Sequence, residues 1–357
     1  MHSPLHAEHE KLGAMFTDFG GWQMPLRYGN ELEEHRAVRT CAGLFDLSHM
    51  GEVRVMGPES GRFLDYALIS QLSAVEVGRA KYTMIVNERG GIIDDLIVYR
   101  LGEEEFLVVP NAGNAATVAQ LLAERSEGFD VTVTDESADT ALIAVQGPRA
   151  AELLGDIPQL KYYSAAPATI LGHDVLLART GYTGEDGFEL FIPAAGATSL
   201  WQALIDAGSA VDLLPCGLAS RDSLRLEAGM PLYGHELTVD LRPVDAGLGV
   251  LVSKKKTEPF VGSEALLADY TPPRALVGLK GEGRRAARAG SQILTPIGDT
   301  VGEVTSGQLS PTLGYPIALA YVDAEFAIEG NILDADIRGK RHTYTVVKLP
   351  FYQRPKD

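Results

Sequence analysis

Lys81-Tyr-Thr-Met-Ile-Val-Asn-Glu-Arg-Gly-Gly-Ile-Ile-Asp-Asp-Leu-Ile-Val-Tyr99 is the stretch that decides how this 357-residue chain is read. Two runs rich in β-branched and aromatic residues, 81–87 and 92–99, flank Arg89-Gly90-Gly91. Such a pattern predicts a β-hairpin whose turn glycines supply positive φ. The second run carries two adjacent carboxylates among apolar neighbours, and strand alternation sends Asp94 and Asp95 to opposite faces. An ionised carboxylate in those surroundings needs donors, so at least one of the pair meets a polar ligand or a buried partner. The competing reading is a turn carboxylate close enough to Gly91 to be solvated.

Outward from the hairpin, helices and strands intermingle. Asn30–Thr40 has a charged helical pattern with Gly43 as its cap, ahead of the apolar Leu44-Phe-Asp-Leu47. A second helix is expected over Glu59–Ile69, then a strand at Phe106–Val109, a helix at Ala115–Glu124 and strands near Val131 and Leu142. The middle of the chain repeats this grammar, with strands 175–178 and 188–191 and helices 198–207 and 218–228. The expected class is therefore α+β. After Arg274 the helical period stops. Short strands near Leu276, Val301, Ile317, Ile332 and Tyr344, set between Gly/Pro turns, predict a small antiparallel barrel. Asp269-Tyr-Thr-Pro-Pro273 reads as the linker before it.

Charge narrows the partners. With 31 Lys+Arg against 48 Asp+Glu the formal net charge is −17, and the basic residues are scattered, which argues against a nucleic-acid partner. Cys41 and Cys216 lie far apart without C-x-x-C spacing and read as buried thiols in a reducing compartment. The first ten residues lack the apolar run of a signal peptide, and no stretch approaches a membrane span, so a soluble, cytoplasmic protein without a membrane partner is expected.

Three further segments could carry chemistry. Arg179-Thr-Gly-Tyr-Thr-Gly-Glu-Asp-Gly-Phe-Glu189 is a turn dense in glycine and hydroxyls, either a long hairpin loop or a backbone cradle for a flat ligand. In Gly217–Gly229, Arg221 falls three residues from both Leu218 and Leu224, on or beside the apolar face, where a charge wants a carboxylate or a ligand. Asp222 and Arg225 read as a solvated i, i+3 pair. Gly281-Glu-Gly-Arg-Arg-Ala286 matches a dinucleotide fingerprint but lacks a following helix, so it reads as a loop. His49 beside Ser48 and Asp46 invites a catalytic triad, yet no nucleophile elbow is present. No metal-ligand spacing appears. Lys254-Lys-Lys256 is the densest basic run.

Taken together, the ordered strings resemble the T-protein family of the glycine cleavage system, the tetrahydrofolate-dependent aminomethyltransferases. They comprise Asp18-Phe-Gly-Gly-Trp-Gln-Met-Pro25, Phe45-Asp-Leu-Ser-His-Met-Gly51, the Gly-Gly-Ile-Ile-Asp-Asp hairpin, Ala144-Val-Gln-Gly-Pro148, Arg179–Glu189, Ala219–Glu227, Pro231-Leu-Tyr-Gly-His235, Val304-Thr-Ser-Gly307 and Pro350-Phe-Tyr352. The resemblance implies a three-domain cloverleaf: two ferredoxin-like-type α+β folate-binding domains, one of residues 1–50 with 140–270 and one of 51–139, plus a C-terminal antiparallel β-barrel over 274–357. It also implies a reaction, the transfer of a carbon from the aminomethyl-loaded lipoyl arm of H-protein to tetrahydrofolate. The products are 5,10-methylenetetrahydrofolate, ammonia and reduced lipoyl H-protein, and no metal takes part.

By the same resemblance Asp95 is the catalytic residue, near the folate nitrogens that accept the carbon. Glu189 suits the pterin amino edge, and Arg221 meets the ligand or orients Glu189. Tyr82 and Tyr182 form aromatic walls, with Met50, Asn111 and Tyr352 as further contacts. The chain departs from the family pattern at Arg242-Pro-Val-Asp245 and in the proline of Val109-Pro-Asn111. Lys254–Lys256 or Arg284, Arg285 and Arg288 would dock the acidic H-protein or hold a polyglutamate tail. Relatives of this fold include folate-dependent demethylases and an iron–sulfur maintenance factor. The cysteine-containing motif that marks the latter is replaced here by Arg179-Thr-Gly-Tyr-Thr-Gly-Glu185.

Overall fold

The computed structural model describes residues 1–355, which form a two-stranded ribbon of Met15–Phe19 and Trp22–Arg27, two larger sheets and a closed barrel. The first sheet runs, from edge to edge, Ala165–Ile170, His173–Ala178, Gly187–Pro193, Thr140–Gln146, Ala42–Asp46 and Leu213–Pro215. Its last pair is parallel and the others antiparallel. The second sheet runs Ala80–Val86, Ile92–Gly102, Glu105–Pro110, Val53–Met56 and Thr132–Asp135, antiparallel throughout.

The central strands of the first sheet have no polar face, because both faces are covered. Along 42–46 and 140–146, Leu44, Ile143 and Val145 pack on one side against Leu200, Trp201 and Leu204 of helix Ala197–Gly208. From the other side Phe45, Leu142 and Ala144 meet Tyr99, Leu107 and Val109 of the second sheet. The second sheet turns its remaining face, with Val53, Leu96 and Val98, to helices Ser60–Ala67 and Ala115–Arg125. The two sheets are thus stacked through one shared apolar layer. The segment from Leu237 to Phe260 packs on Met84, Val86 and Ile92 of the second sheet's hairpin.

The barrel has six strands, in the order Arg274–Gly281, Pro316–Asp323, Thr300–Leu309, Gln292–Leu294, Ile332–Ile337 and Lys340–Val347, closing back on the first. The expected five are all present. The sixth, 292–294, is three residues long and too short to leave a period-2 signature.

Several local expectations change. Helix Glu31–Thr40 is capped by Asn30, whose side chain accepts from Leu32 N, but it ends at Cys41, and Gly43 lies inside a strand. Glycine is needed there for space, since a Cβ would come within 2.4 Å of the Val38 side chain. In the hairpin only Gly90 has positive φ, at 81°. A Cβ at Gly91 would stand 2.0 Å from the Val239 carbonyl, so its role is close approach rather than turning. Cys216 is buried, whereas Cys41 is partly exposed. The 281–286 stretch crosses from strand to loop with no helix behind it, which removes a dinucleotide site. No helix among the described residues is long and apolar enough to cross a membrane.

A polar node joins the first unit to the barrel. At the end of helix Leu218–Glu227, the buried Glu227 carboxylate accepts from Arg39 Nη2 (2.8 Å), Ser310 Oγ (2.5 Å), Thr312 Oγ1 (2.8 Å) and Thr312 N (3.0 Å), with His35 Nε2 at 3.2 Å. Two residues earlier, Arg225 is 1% exposed rather than solvated. It binds Glu236 (3.0 Å) and Ser306 (2.7 Å) as well as Asp222.

Two stability predictions follow from opposite shifts. Burial would raise the Glu227 carboxyl, but the hydrogen bond and charge of His35 and the charge of Arg39 hold it at about 2. Its stabilisation is complete above the ordinary value of 4.5 and is lost as pH falls through 2. That contribution is at most ~3 kcal/mol. Urea titrations should show a steeper loss between those limits for the wild type than for Glu227→Gln. Glu52 is the reverse case: burial, then the charges of Asp135 and Glu136, push it up to about 9, and neither oxygen has a partner among the described residues. Its strain is absent below 4.5 and grows as pH rises toward 9. Glu52→Gln should therefore stabilise the protein at pH 8 by ~1–3 kcal/mol, and far less at pH 4.5, by thermal unfolding.

Candidate active site

Where the shared layer opens, the two sheets leave a cavity of about 250 Å³. Its walls come from both larger sheets, from Phe19 at the end of strand Met15–Phe19, from the loops holding residues 47–50, 163 and 181–182, from helix 218–227 and from residues 230–233, with none from the six barrel strands.

The hairpin supplies the carboxylate. Met84 pairs with Asp95 and Tyr82 with Ile97, which puts Tyr82 and Asp95 diagonally adjacent on the face turned to the cavity. Tyr82 Oη donates to Asp95 Oδ2 at 2.9 Å, and the Asn111 amide donates to Asp95 Oδ1 at 2.9 Å. Asn111 follows strand Glu105–Pro110, whose Pro110 pairs with Leu96, so the strand end delivers the amide beside the carboxylate. The proline ahead of Asn111 leaves that placement intact.

Asp94 does point to the opposite face, and it is fully buried, which disposes of the solvated-turn reading. It accepts from Asn111 N (2.8 Å), Asn111 Nδ2 (3.0 Å) and Asn114 Nδ2 (2.7 Å), just ahead of helix Ala115–Arg125. A helix N-terminus favours an anion there. The single Asn111 amide therefore bridges both carboxylates. Burial pushes both above the usual carboxylate range, and the charge of Asp95 raises Asp94 further.

Opposite stands a recognition wall. Glu189 Oε2 accepts from Thr180 Oγ1 (2.5 Å) and Tyr99 Oη (3.3 Å), leaving Oε1 without a protein partner among the described residues. Arg221 lies with its guanidinium 4.8 Å from the centroid of Tyr182, and forms no hydrogen bond or ion pair among the described residues. Of the two sequence expectations for Arg221, a direct bond to Glu189 is thus not made. Tyr182 itself donates to the Pro231 carbonyl. Glycine at 181 is required, because a Cβ would fall 2.0 Å from the Gln146 amide oxygen.

Asp95, Glu189, Arg221, Tyr82, Tyr182, Met50 and Asn111 all line this one cavity. Tyr352 does not. Its hydroxyl donates to Glu185 at 2.7 Å, its amide N to the Glu227 carbonyl at 2.8 Å, and Arg39 covers its ring at 4.0 Å, so it is pinned to the interdomain node. Lys256 likewise is withdrawn from solvent: it caps the carbonyls of Asp65 and Leu68 over the Phe260 ring, while Lys254, Lys255, Arg284, Arg285 and Arg288 are not buried. Arg242 N donates to Asp245, which also takes the Tyr270 hydroxyl, away from the cavity edge.

Sequence reasoning missed Phe19, His49, Tyr99, Tyr163 and Tyr233 among the lining residues. Tyr99 carried a signal, since it shares the period-2 face of Asp95 and Ile97. His49 was set aside with the triad, and the triad is indeed absent: Asp46 accepts from Ser3 (2.5 Å) and pairs with His9 (2.8 Å), not with His49. Among the described residues no group of three or more His, Cys, Asp or Glu converges as a metal site.

Comparisons with known proteins place the chain in a family. Residues 5–256 match the GCVT N-terminal domain, and residues 274–353 match the glycine cleavage T-protein C-terminal barrel domain. An aminomethyltransferase of Streptomyces avermitilis is 57% identical over 99% of this chain and 98% of its own length. One from Corynebacterium jeikeium is 55% identical with the same coverage. The crystal structure of glycine cleavage system aminomethyltransferase T from Bartonella henselae superposes with a TM-score of 0.93 at 40% identity, covering 99% of this chain and 98% of that one. With both family domains matched in order across a shared fold, the chain belongs to the glycine cleavage T-protein family of aminomethyltransferases.

Proposed function

We propose that the cavity binds tetrahydrofolate and that the chain moves the aminomethyl carbon of a lipoyl-bound carrier, the H-protein, onto it. The observation that carries this reading is the division of the cavity. On one side is a buried carboxylate held by Tyr82 and Asn111, and on the other are Glu189 and Arg221 with unfilled hydrogen-bonding capacity. A reduced pterin fits that division. Its amino and ring N–H groups are parallel donors for a carboxylate such as Glu189, and its carbonyl is an acceptor for Arg221. The nucleophilic nitrogens then face Asp95.

In this reading the carbon leaves sulfur and nitrogen and becomes bonded to the two folate nitrogens. The nitrogens lose their protons, and the leaving amine and thiol gain them. Asp95 accepts a proton from the attacking nitrogen and returns it to a leaving group. Its raised affinity for protons suits a shuttle working near neutrality. Tyr82 and Asn111 fix the carboxylate so that attack starts from an aligned geometry. We assign the folate-binding units to residues 1–50 with 140–270 and to 51–139, and the barrel to 274–357.

Three outcomes are expected. In ammonia-release assays with loaded H-protein and tetrahydrofolate, Asp95→Asn should lower kcat by ~10²–10⁴ while still binding folate. An Asp95→Asn protein with full turnover would remove the catalytic assignment. The acid limb of the wild-type kcat profile should lie above the usual carboxylate range, because the pair is raised by burial. Asp94→Asn should leave that limb close to its wild-type position, because burial raises Asp95 and the charge of Asp94 is not among the causes. Finally, Arg284→Glu with Arg285→Glu should slow H-protein association and flatten its salt dependence, while weaker binding confined to long-tailed folates would assign these residues to the glutamate tail.

A further inference from the structure

Three histidines are buried in this protein: His9, His35 and His49. His9 places its two ring nitrogens on Asp46 (2.8 Å) and Tyr28 (2.9 Å). His35 places its own on Ser223 (2.6 Å) and Thr312 (2.9 Å). These are satisfied structural groups. His49 is only 2% exposed, yet neither of its ring nitrogens forms a hydrogen bond among the described residues, and Nδ1 is sealed from solvent. It is also the one of the three that lines the cavity.

A buried imidazole nitrogen left without a partner costs ~1–3 kcal/mol. The other ring nitrogen, Nε2, is also unbonded among the described residues but is not sealed, so it is the atom that a molecule in the cavity can partner. Phe19 stands edge-on to the ring, 5.5 Å between centroids and 89° between planes, which limits its rotation. Nearby is Arg221, the second lining group with unused donors. Burial holds His49 down at about 4; the charge of Asp46 opposes it, and the smaller effect of the Arg221 charge adds to it. The ring is therefore neutral at working pH and offers one N–H donor and one lone pair.

We propose that His49 is a ligand-recognition residue, whose neutral imidazole hydrogen-bonds the polar edge of a flat heterocycle beside Arg221. The ligand class is a fused ring that displays a carbonyl next to ring N–H groups. A neutral ring adjoining a cation selects an uncharged amide-like edge and adds no attraction for a carboxylate tail. This inference rests on the folate reading of the same cavity and assigns one more residue to the part that holds the ring.

Calorimetric titration of tetrahydrofolate into wild type, His49→Phe and His49→Gln tests it. Phe keeps the ring's shape without its nitrogens, and Gln restores a donor and an acceptor. His49→Phe is expected to weaken binding tenfold or more and to raise KM for folate more than it changes kcat. His49→Gln should recover most of that loss. The melting temperature of ligand-free His49→Phe should equal or exceed that of wild type, since an unpaired polar atom has gone. In the wild-type protein with labelled histidines, the nitrogen resonances of His49 should move on folate addition, a readout that needs no variant to fold. Equal folate affinity in wild type and His49→Phe, or unmoved resonances at saturation, would overturn the role of His49 alone. No folate binding by the wild type would overturn the folate reading and this inference with it.

Discussion

The apolar layer shared by the two sheets is the constraint on which this molecule is built. Phe45, Leu142 and Ala144 on one side and Tyr99, Leu107 and Val109 on the other leave no solvent face to the central strands. Any polar group carried into that layer must find a partner within the protein or in a ligand. Within it Glu189 finds Thr180 and Tyr99, and on the outer faces of the same sheets Asp94 finds two asparagines while His9 and Asp46 find each other. What stays unfilled, on Glu189, Arg221 and His49, gathers around one opening. The site is where three such groups converge, unlike Glu52, whose unpartnered oxygens lie away from the cavity.

Much of this was legible in the sequence, and for identifiable reasons. The hairpin announced itself through β-branched residues around a glycine turn, and the opposite facing of Asp94 and Asp95 needed only the two-residue period of a strand. The barrel followed from the change of period after Arg274, and the linker from its paired prolines. Arg221 was found because a charge on the apolar side of a helix is conspicuous. Local pattern settles such features because their causes lie within a few residues.

Features with distant causes were not legible. Gly91 is glycine because of a carbonyl at Val239, and Gly43 because of Val38 and Cys216. Arg225 looked solvated beside Asp222, but Glu236 and Ser306 claim it from other parts of the chain. Tyr352 carried a family association with the ligand, whereas its bonds tie it to Glu185 and Glu227. His49 was hidden by its neighbours Asp46 and Ser48, which suggested a triad that His9 and Ser3 pre-empt. In each case the deciding partner is far away in sequence and close only once the chain has folded.

The barrel lends no atom to the cavity wall, yet Ser306, Ser310 and Thr312 grip the far end of the helix that carries Arg221. Tyr321 reaches from the barrel to the Glu236 carbonyl, and Tyr233, three residues away, reaches from the cavity rim to Ile92. The barrel thus behaves as a clamp at arm's length. Because Ser306 and Ser310 in that grip are buried, transplanting the cavity onto another scaffold would require carrying this remote anchor along.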